Sequence, residues 1–309
     1  MTARQPASRL EALLRARQFA ITAEITPPVS CEADDLLRKA LPLAGLADAV
    51  NLTDGAGARA HLSAPIAACL LARAGIEPVL QFTCRDRNRL ALEADLMGAA
   101  ACSVRNVLCL TGDDPRAGDQ PQTKPVFDVD SVALTAIARE LRDKGELPSG
   151  RKVAGHAVFF LGAADVPIDP PPSWRPDKLA AKAAAGAEFA QTQFCMDTGV
   201  VRRYSAQLAK HAGTRDLFLL IGVAPLRSAR SARWMRERLY GTIIPEAFIE
   251  RLERATDAAA EGERIAVELI EELAAIPGVA GVHLMAPANE DALPRVIAEA
   301  RKRLPSRQH

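Results

Sequence analysis

The 309-residue chain has no Cys-x-x-Cys pair, no excess of charge of either sign and no long apolar run. Each absence excludes a class of protein. The six cysteines, Cys31, Cys69, Cys84, Cys102, Cys109 and Cys195, lie apart, so neither a paired zinc site nor a disulfide framework is indicated. Cys69, Cys102 and Cys109 fall in apolar patterns and read as small buried hydrophobes in a reducing cytoplasm. Lys and Arg number 39 against 38 Asp and Glu, which gives no electrostatic case for nucleic acid or an anionic membrane. Hydrophobic residues make up 49 % of the chain, yet they are dispersed, and no stretch is long enough to span a bilayer. The five histidines are scattered, so no metal site is expected.

What is present is a repeat of apolar segments, each followed by apolar residues at helical spacing. Eight segments read as strands: Phe19–Ile25, Asp48–Leu52, Ile76–Phe82, Arg105–Leu110, Val153–Phe159, Glu188–Gln193, Leu217–Gly222 and Val279–Leu284. Runs such as Val107–Leu110 and Leu217–Ile221 suit a parallel sheet covered by helices. Eight β-then-α units predict an α/β fold, a single-domain (β/α)8 TIM barrel over residues 19–304. Residues 1–18 carry four arginines, but Ser8 and Glu11 form a capping box and Leu10, Leu13 and Leu14 follow at helical spacing. They predict an N-terminal helix packed on the barrel, and 305–309 a frayed tail. Asp113–Asp128 is a candidate substrate or cofactor loop, and Gly162–Pro176 should be stiff and extended. Pro245 marks a helix start between Arg227 and Ala275.

One motif misleads. Gly55-Ala56-Gly57-Ala58-Arg59-Ala60 fits a dinucleotide fingerprint, with Glu77 near the spacing of a ribose-binding acid. That acid belongs at the C-terminal end of its strand, and Glu77 stands at the start of one beside Pro78. The stretch reads instead as a barrel loop.

Active sites of such barrels lie at the C-terminal strand ends, and these ends are polar here. They carry Glu24, Asn51-Leu52-Thr53-Asp54, Gln81-Phe82-Thr83, Thr111-Gly112-Asp113-Asp114-Pro115 and Gln191-Thr192-Gln193. The stretch Gln81–Arg89, then Asp95–Ala99, then Asn106–Pro115, resembles the 5,10-methylenetetrahydrofolate reductase family. Ala23–Pro28, Ala185–Gln193, Gly222–Leu226 and Ile244-Pro245 are similar to further motifs of that family, in the same order. The similarity runs from about Phe19 to Leu304. It is strongest to the stand-alone bacterial form, with no room for a C-terminal regulatory domain.

The resemblance implies a cytoplasmic flavoenzyme, expected as a homo-oligomer. NADH or NADPH would reduce FAD, and the flavin would reduce methylenetetrahydrofolate in a ping-pong cycle. It gives Glu24 the role of general acid toward a folate nitrogen, a role a carboxyl at a barrel strand end can fill. It places Asp113 beside the flavin ring, where a negative charge stabilises a cationic substrate. It assigns folate binding to Gln193, with Gln191 on the same strand face serving either that site or the barrel interior. It puts Thr53, Asp54, Gln81, Thr83, Arg85, Thr111, Gly112 and Lys182 around the flavin. Lys182 would meet its phosphates. Asp114 reads as a turn residue. The cluster Arg85–Arg89 combines ligand contact with internal ion pairing, and Asn88 and Arg89 open a helix. Trp234 aligns with an aromatic position against substrate, although Trp234 and Met235 at helical spacing also suit a core.

The chain departs from the pattern at Thr111, where some relatives have arginine, and at the end of the fifth strand, which lacks a tyrosine. A third departure lies at Asn289-Glu290, where an arginine contact occurs elsewhere. Two rival functions are open. A lyase or aldolase barrel needs a Schiff-base lysine or a metal cluster at a strand end, and neither is present. A non-catalytic subunit of an electron-transfer complex would keep the fold and fail to turn over folate alone.

Overall fold

The computed structural model describes residues 5–305. Eight parallel strands close a barrel in sequence order: β1 (Ala20–Ile25), β2 (Ala49–Leu52), β3 (Pro78–Thr83), β4 (Asn106–Leu110), β5 (Phe160–Asp165), β6 (Phe189–Phe194), β7 (Phe218–Val223) and β8 (Val279–Leu284). The ring is sealed by β1 on β8, with Thr22 opposite His283. Around it run α1 (Arg9–Arg15), α2 (Ala33–Ala40), α3 (Ala64–Arg73), α4 (Arg89–Ala101), α5 (Ser131–Lys144), α6 (Asp177–Ala185), α7 (Thr198–Lys210), α8 (Ala229–Arg238), α9 (Glu246–Arg254), α10 (Ala258–Ala274) and α11 (Leu293–Arg303). The expected (β/α)8 barrel is therefore the observed fold. Pro245 stands at the N-cap of α9.

Two apolar cores follow from strand alternation, which sends successive side chains to opposite faces. Outward residues such as Ile21, Val50, Leu80, Val107, Leu161 and Ile221 pack on the helices. Inward residues at the N-terminal end, among them Ala20, Val79, Leu108, Phe160, Phe189 and Leu220, form a separate cluster closed by Leu10 and Leu14 of α1. The Phe160 and Phe189 rings stack there at 4.7 Å. Gly162 makes room for them, since a Cβ at that position would stand 2.3 Å from the Phe189 ring.

The N-terminal helix plugs the bottom of the barrel as a capped element. Ser8 accepts from the Glu11 N–H at 3.0 Å. Glu11 itself is fully buried and accepts from the Ala7 N–H. Glu77 accepts from the Arg9 and Leu10 N–H groups at 2.9 and 2.8 Å, so its carboxylate sits on the positive end of α1. That fixes Glu77 at the N-terminal end of the barrel, remote from Gly55–Ala60, and removes the dinucleotide reading. The expected tail lies, apart from Pro305, outside the described residues, as do the first four positions.

Seven strands coincide with the sequence expectation to within two residues at each end. The fifth does not. It was expected at Val153–Phe159 and runs from Phe160 to Asp165. Gly155 takes φ +85°, a left-handed conformation that interrupts an extended run. Lys152 bridges back to Glu146 in a small closure of its own. The strand therefore ends in Ala164 and Asp165, and the irregular segment that follows it begins at Val166 instead of Gly162.

Candidate active site

Glu24 is the last inward residue of β1 and lies at the C-terminal mouth of the barrel, 20 % exposed at its side chain. Its Oε2 accepts from the Gln81 amide at 2.5 Å and lies 3.4 Å from His283 Nε2. Its Oε1 has no hydrogen-bond partner among the described residues. Glu24 and Gln81 are thus brought together at the ends of β1 and β3.

One layer below, the barrel interior is polar. Gln191 donates to Thr22 Oγ1 and Asn51 Oδ1, both at 3.0 Å, and accepts from Asn51 Nδ2 at 2.7 Å. Thr22 Oγ1 lies 3.0 Å from His283 Nδ1. All four side chains are buried. Gln191 is thus bonded within the barrel interior. Burying such groups is tolerable only because they satisfy one another.

Thr53 follows β2 beside Glu24's strand, its N–H donating to the Ile25 carbonyl at 3.3 Å. Its hydroxyl is buried without a partner among the described residues. Asp54 is occupied by the protein itself: it accepts from the Thr83 N–H and hydroxyl, both at 2.9 Å, and pairs with Arg87 at 2.7 Å. Arg87 also reaches Asp95 at 2.9 Å and lies over the Phe82 ring. Arg85 is buried, pairs with Asp86 and donates to the Gly55 carbonyl at 3.1 Å. The arginine cluster is thus largely internal ion pairing. Asn88 caps α4, which opens at Arg89.

Beyond β4, Gly112 adopts φ +100°, and a Cβ there would meet Arg85 Cβ at 2.8 Å. Glycine is required on both counts. Asp113 presents an exposed carboxylate that accepts from the Gly57 N–H at 3.2 Å, joining two loops of the mouth. Asp114 caps the following turn, and Arg116 beside it lowers its carboxyl to about 2. Its turn role is as expected.

Thr111 and Lys182 meet at a cavity of about 620 Å³ between the ends of β4 and β5, with Asp165, Trp174, Arg175 and Lys178. Lys182 donates to the Ala164 carbonyl at 2.6 Å. Burial pushes its ammonium below the ordinary lysine value, Asp165 opposes this, and Lys178 adds to it. Burial raises the Asp165 carboxyl in turn, against the pull of the Tyr204 hydroxyl and Lys182. Trp174 packs against Tyr204 with centroids 5.6 Å apart.

Gln193 lies where the pairing of β6 with β7 slips, between Gln191 and Phe194. Its Oε1 accepts from the Phe194 N–H at 3.0 Å, which leaves its amide nitrogen available. On α8, Met235 is core at 5 % exposure, whereas Trp234 is 52 % exposed. All six cysteines are free. Burial pushes the Cys84, Cys109 and Cys195 thiols up to about 12. Among the described residues no helix is long and apolar enough to cross a membrane, and no group of three metal-ligating side chains occurs.

Sequence reasoning missed His283, Asn51 and Thr22 as a group, and Asp165 with Trp174 and Lys178. The first three carried a signal, a polar residue inside an otherwise apolar strand. Asp165 was hidden by the displaced fifth strand.

Comparison with known proteins bears on the family and the fold. Residues 9–301 match the Methylenetetrahydrofolate reductase family. The chain is 26 % identical over 259 residues to Methylenetetrahydrofolate reductase 2 of Saccharomyces cerevisiae, covering 82 % of this chain and 41 % of that protein. It is 26 % identical over 224 residues to Methylenetetrahydrofolate reductase 2 of Schizosaccharomyces pombe, covering 71 % and 34 %. The aligned part is therefore well under half of these relatives' length. A solved structure from Clostridium thermocellum, described as binding two copies of 5-methyl-5,6,7,8-tetrahydrofolic acid, shares the fold at TM-score 0.63 and 13 % identity, over 95 % of this chain and 98 % of that one. An EDTA monooxygenase from Chelativorans shares it at TM-score 0.56 and 12 % identity, over 91 % and 92 %. With a match that spans nearly the whole barrel and takes in every strand end described above, this chain belongs to the methylenetetrahydrofolate reductase family.

Proposed function

We propose that this barrel reduces 5,10-methylenetetrahydrofolate to 5-methyltetrahydrofolate, with FAD as bound carrier and NADH or NADPH as electron donor. The observation that carries this reading is Glu24 at the barrel mouth, held through one oxygen by Gln81, with His283 Nε2 3.4 Å from that oxygen and no partner for the other among the described residues.

The residues present fit a flavin. The buried Thr53 hydroxyl has no partner among the described residues and is suited to one from a ligand. Gly112 lets the Thr111–Asp113 turn lie against Arg85 and Thr83 at the barrel mouth. Lys182, Lys178 and Arg175 line one cavity, and cations there suit a diphosphate. Thr53, Thr111, Gly112, Asp113, Gln81 and Lys182 would hold the cofactor. Asp54, Thr83 and Arg85 would shape the wall behind it through their mutual bonds. A bound flavin would supply two-electron hydride chemistry between the nicotinamide and the folate's methylene carbon.

The chain's own residues then have defined tasks. Glu24 Oε1 gives a proton to the folate nitrogen that leaves as the five-membered ring opens. Asp113 places a negative charge where the substrate becomes cationic. Gln193 binds a pterin edge through the amide nitrogen that its backbone contact leaves available. Trp234 offers an exposed ring against the remainder of the folate.

The visible spectrum of the purified protein with FAD tests the reading. Flavin bands should bleach anaerobically with reduced nicotinamide and return when methylenetetrahydrofolate is added. Failure to bind flavin, or bleaching without return, would favour a partner-dependent subunit. Two further outcomes are expected. Lys182→Met should weaken FAD binding about tenfold to a hundredfold, the worth of a charge-assisted contact, as read by fluorescence titration. Asp113→Asn should raise the flavin reduction potential and slow folate turnover. An unchanged potential with normal turnover would return Asp113 to its loop-joining bond alone.

A further inference from the structure

We propose that His283 is a positioning residue, held by the buried polar layer as the Nε2–H tautomer, whose N–H pins Glu24 Oε2 so that the transferable proton resides on Oε1. The proposal deepens the general-acid reading of Glu24 and rests on it.

The argument begins at the far side of the imidazole ring. His283 is 2 % exposed and faces inward from β8, level with Thr22. Its Nδ1 has two neighbours, Thr22 Oγ1 at 3.0 Å and Gln191 Nε2 at 3.3 Å. An amide nitrogen can only donate. A proton on Nδ1 would therefore point at another N–H. In this orientation Gln191 forms a reciprocal pair with Asn51, its Oε1 accepting from Nδ2 and its Nε2 donating to Oδ1. Thr22 Oγ1 accepts from Gln191 Nε2, so its own hydrogen is free to turn to Nδ1. Its other acceptor, the Val282 carbonyl, is farther away at 3.3 Å. Nδ1 is thus an acceptor, and a neutral ring then carries its proton on Nε2.

That proton faces Glu24 Oε2 at 3.4 Å, the oxygen to which Gln81 also donates. With the Gln81 amide bonded to Oε2 and the His283 Nε2–H 3.4 Å from it, that oxygen is the less favourable place for a proton. The acidic hydrogen is directed to Oε1, which is otherwise unpartnered and opens to the mouth. When Oε1 gives up that proton, the carboxylate left behind is already met by two donors. The geometry links five strands, β1, β2, β3, β6 and β8, to the orientation of one carboxyl. The titratable groups in this set are Glu24 and His283; Thr22, Asn51, Gln81 and Gln191 are neutral.

The test combines spectroscopy with half-reactions. In histidine-labelled full-length protein, the ¹⁵N signals that vanish in His283→Gln identify the ring. They should show a protonated Nε2 and an unprotonated Nδ1. Glutamine can place its amide nitrogen where Nε2 stood, whereas leucine places nothing there. His283→Leu should therefore slow reoxidation of reduced flavin by methylenetetrahydrofolate about tenfold to a hundredfold, within the range of general acid–base effects. It should leave reduction of the flavin by nicotinamide unchanged. His283→Gln should recover most of the loss. A ring protonated on Nδ1, or on both nitrogens, overturns the proposal. So does equal loss in both half-reactions, or a glutamine variant no better than leucine. If Glu24→Gln keeps full folate reduction while the Nε2–H signal is present, the general-acid reading fails, and that result is distinct from a wrong tautomer.

Discussion

Glu24→Gln should leave flavin reduction by nicotinamide at the wild-type rate and lower flavin reoxidation by methylenetetrahydrofolate by about 10²- to 10⁴-fold, the usual worth of a general acid. The amide cannot supply a proton, yet it fills the same volume at the mouth of the barrel and can accept from Gln81 as the carboxyl does. Binding of flavin and folate should therefore survive, so the loss falls on one half-reaction. Stopped-flow absorbance separates the two steps. Equal slowing of both would mean that Glu24 shapes the site without moving a proton, and the acid would have to be sought elsewhere on the mouth. Because Glu24 stands in an otherwise satisfied polar array, a small change in overall stability is expected alongside the large kinetic one.

Gly262→Ala should lower the urea midpoint and the thermal midpoint. On helix propensity alone the change would stabilise α10 by about 1 kcal/mol. Tertiary contact opposes it: a Cβ on Gly262 would stand 1.7 Å from the Leu226 carbonyl oxygen, a backbone atom that cannot swing aside. Relieving that contact requires α10 to move away from the segment after β7, and overpacking of this kind costs about 3 kcal/mol. The steric term exceeds the propensity gain. For a domain of this size the net loss of about 2 kcal/mol should lower the midpoint by roughly 3 °C. A midpoint that rises would mean that α10 shifts without penalty. Leu226 follows the strand that leads to α8, so the same substitution should also disturb the surroundings of Trp234.

Much of this was legible in the chain. Alternation of strand and helix patterns, with polar residues at strand ends, is a local property, and seven of eight strands stand where the pattern put them. Glu24, Asp113 and Gln193 could be placed at the C-terminal mouth because each follows or ends an apolar run, and a barrel sends such positions to one face. The same reasoning put Glu77 at the opposite end, where it caps α1. The fifth strand was misplaced because Val153–Phe159 and Phe160–Asp165 are both apolar enough; register is set by pairing with β4 and β6, which no single segment contains.

Only the tertiary structure decided the roles of partners. Asp54 looked like a ligand-binding strand end, but Thr83 and Arg87, from a different unit, occupy its carboxylate. Gln191 and Gln193 share a strand face, yet one is locked to Thr22 and Asn51 while the other ends at the slipped pairing with β7. His283 lies more than 250 positions from Glu24 in sequence and 3.4 Å from it in space. Hydrogen bonds act over about 3 Å and are indifferent to sequence distance. The chain therefore determined which side chains face the barrel axis. Closure of β1 on β8 determined which of them meet.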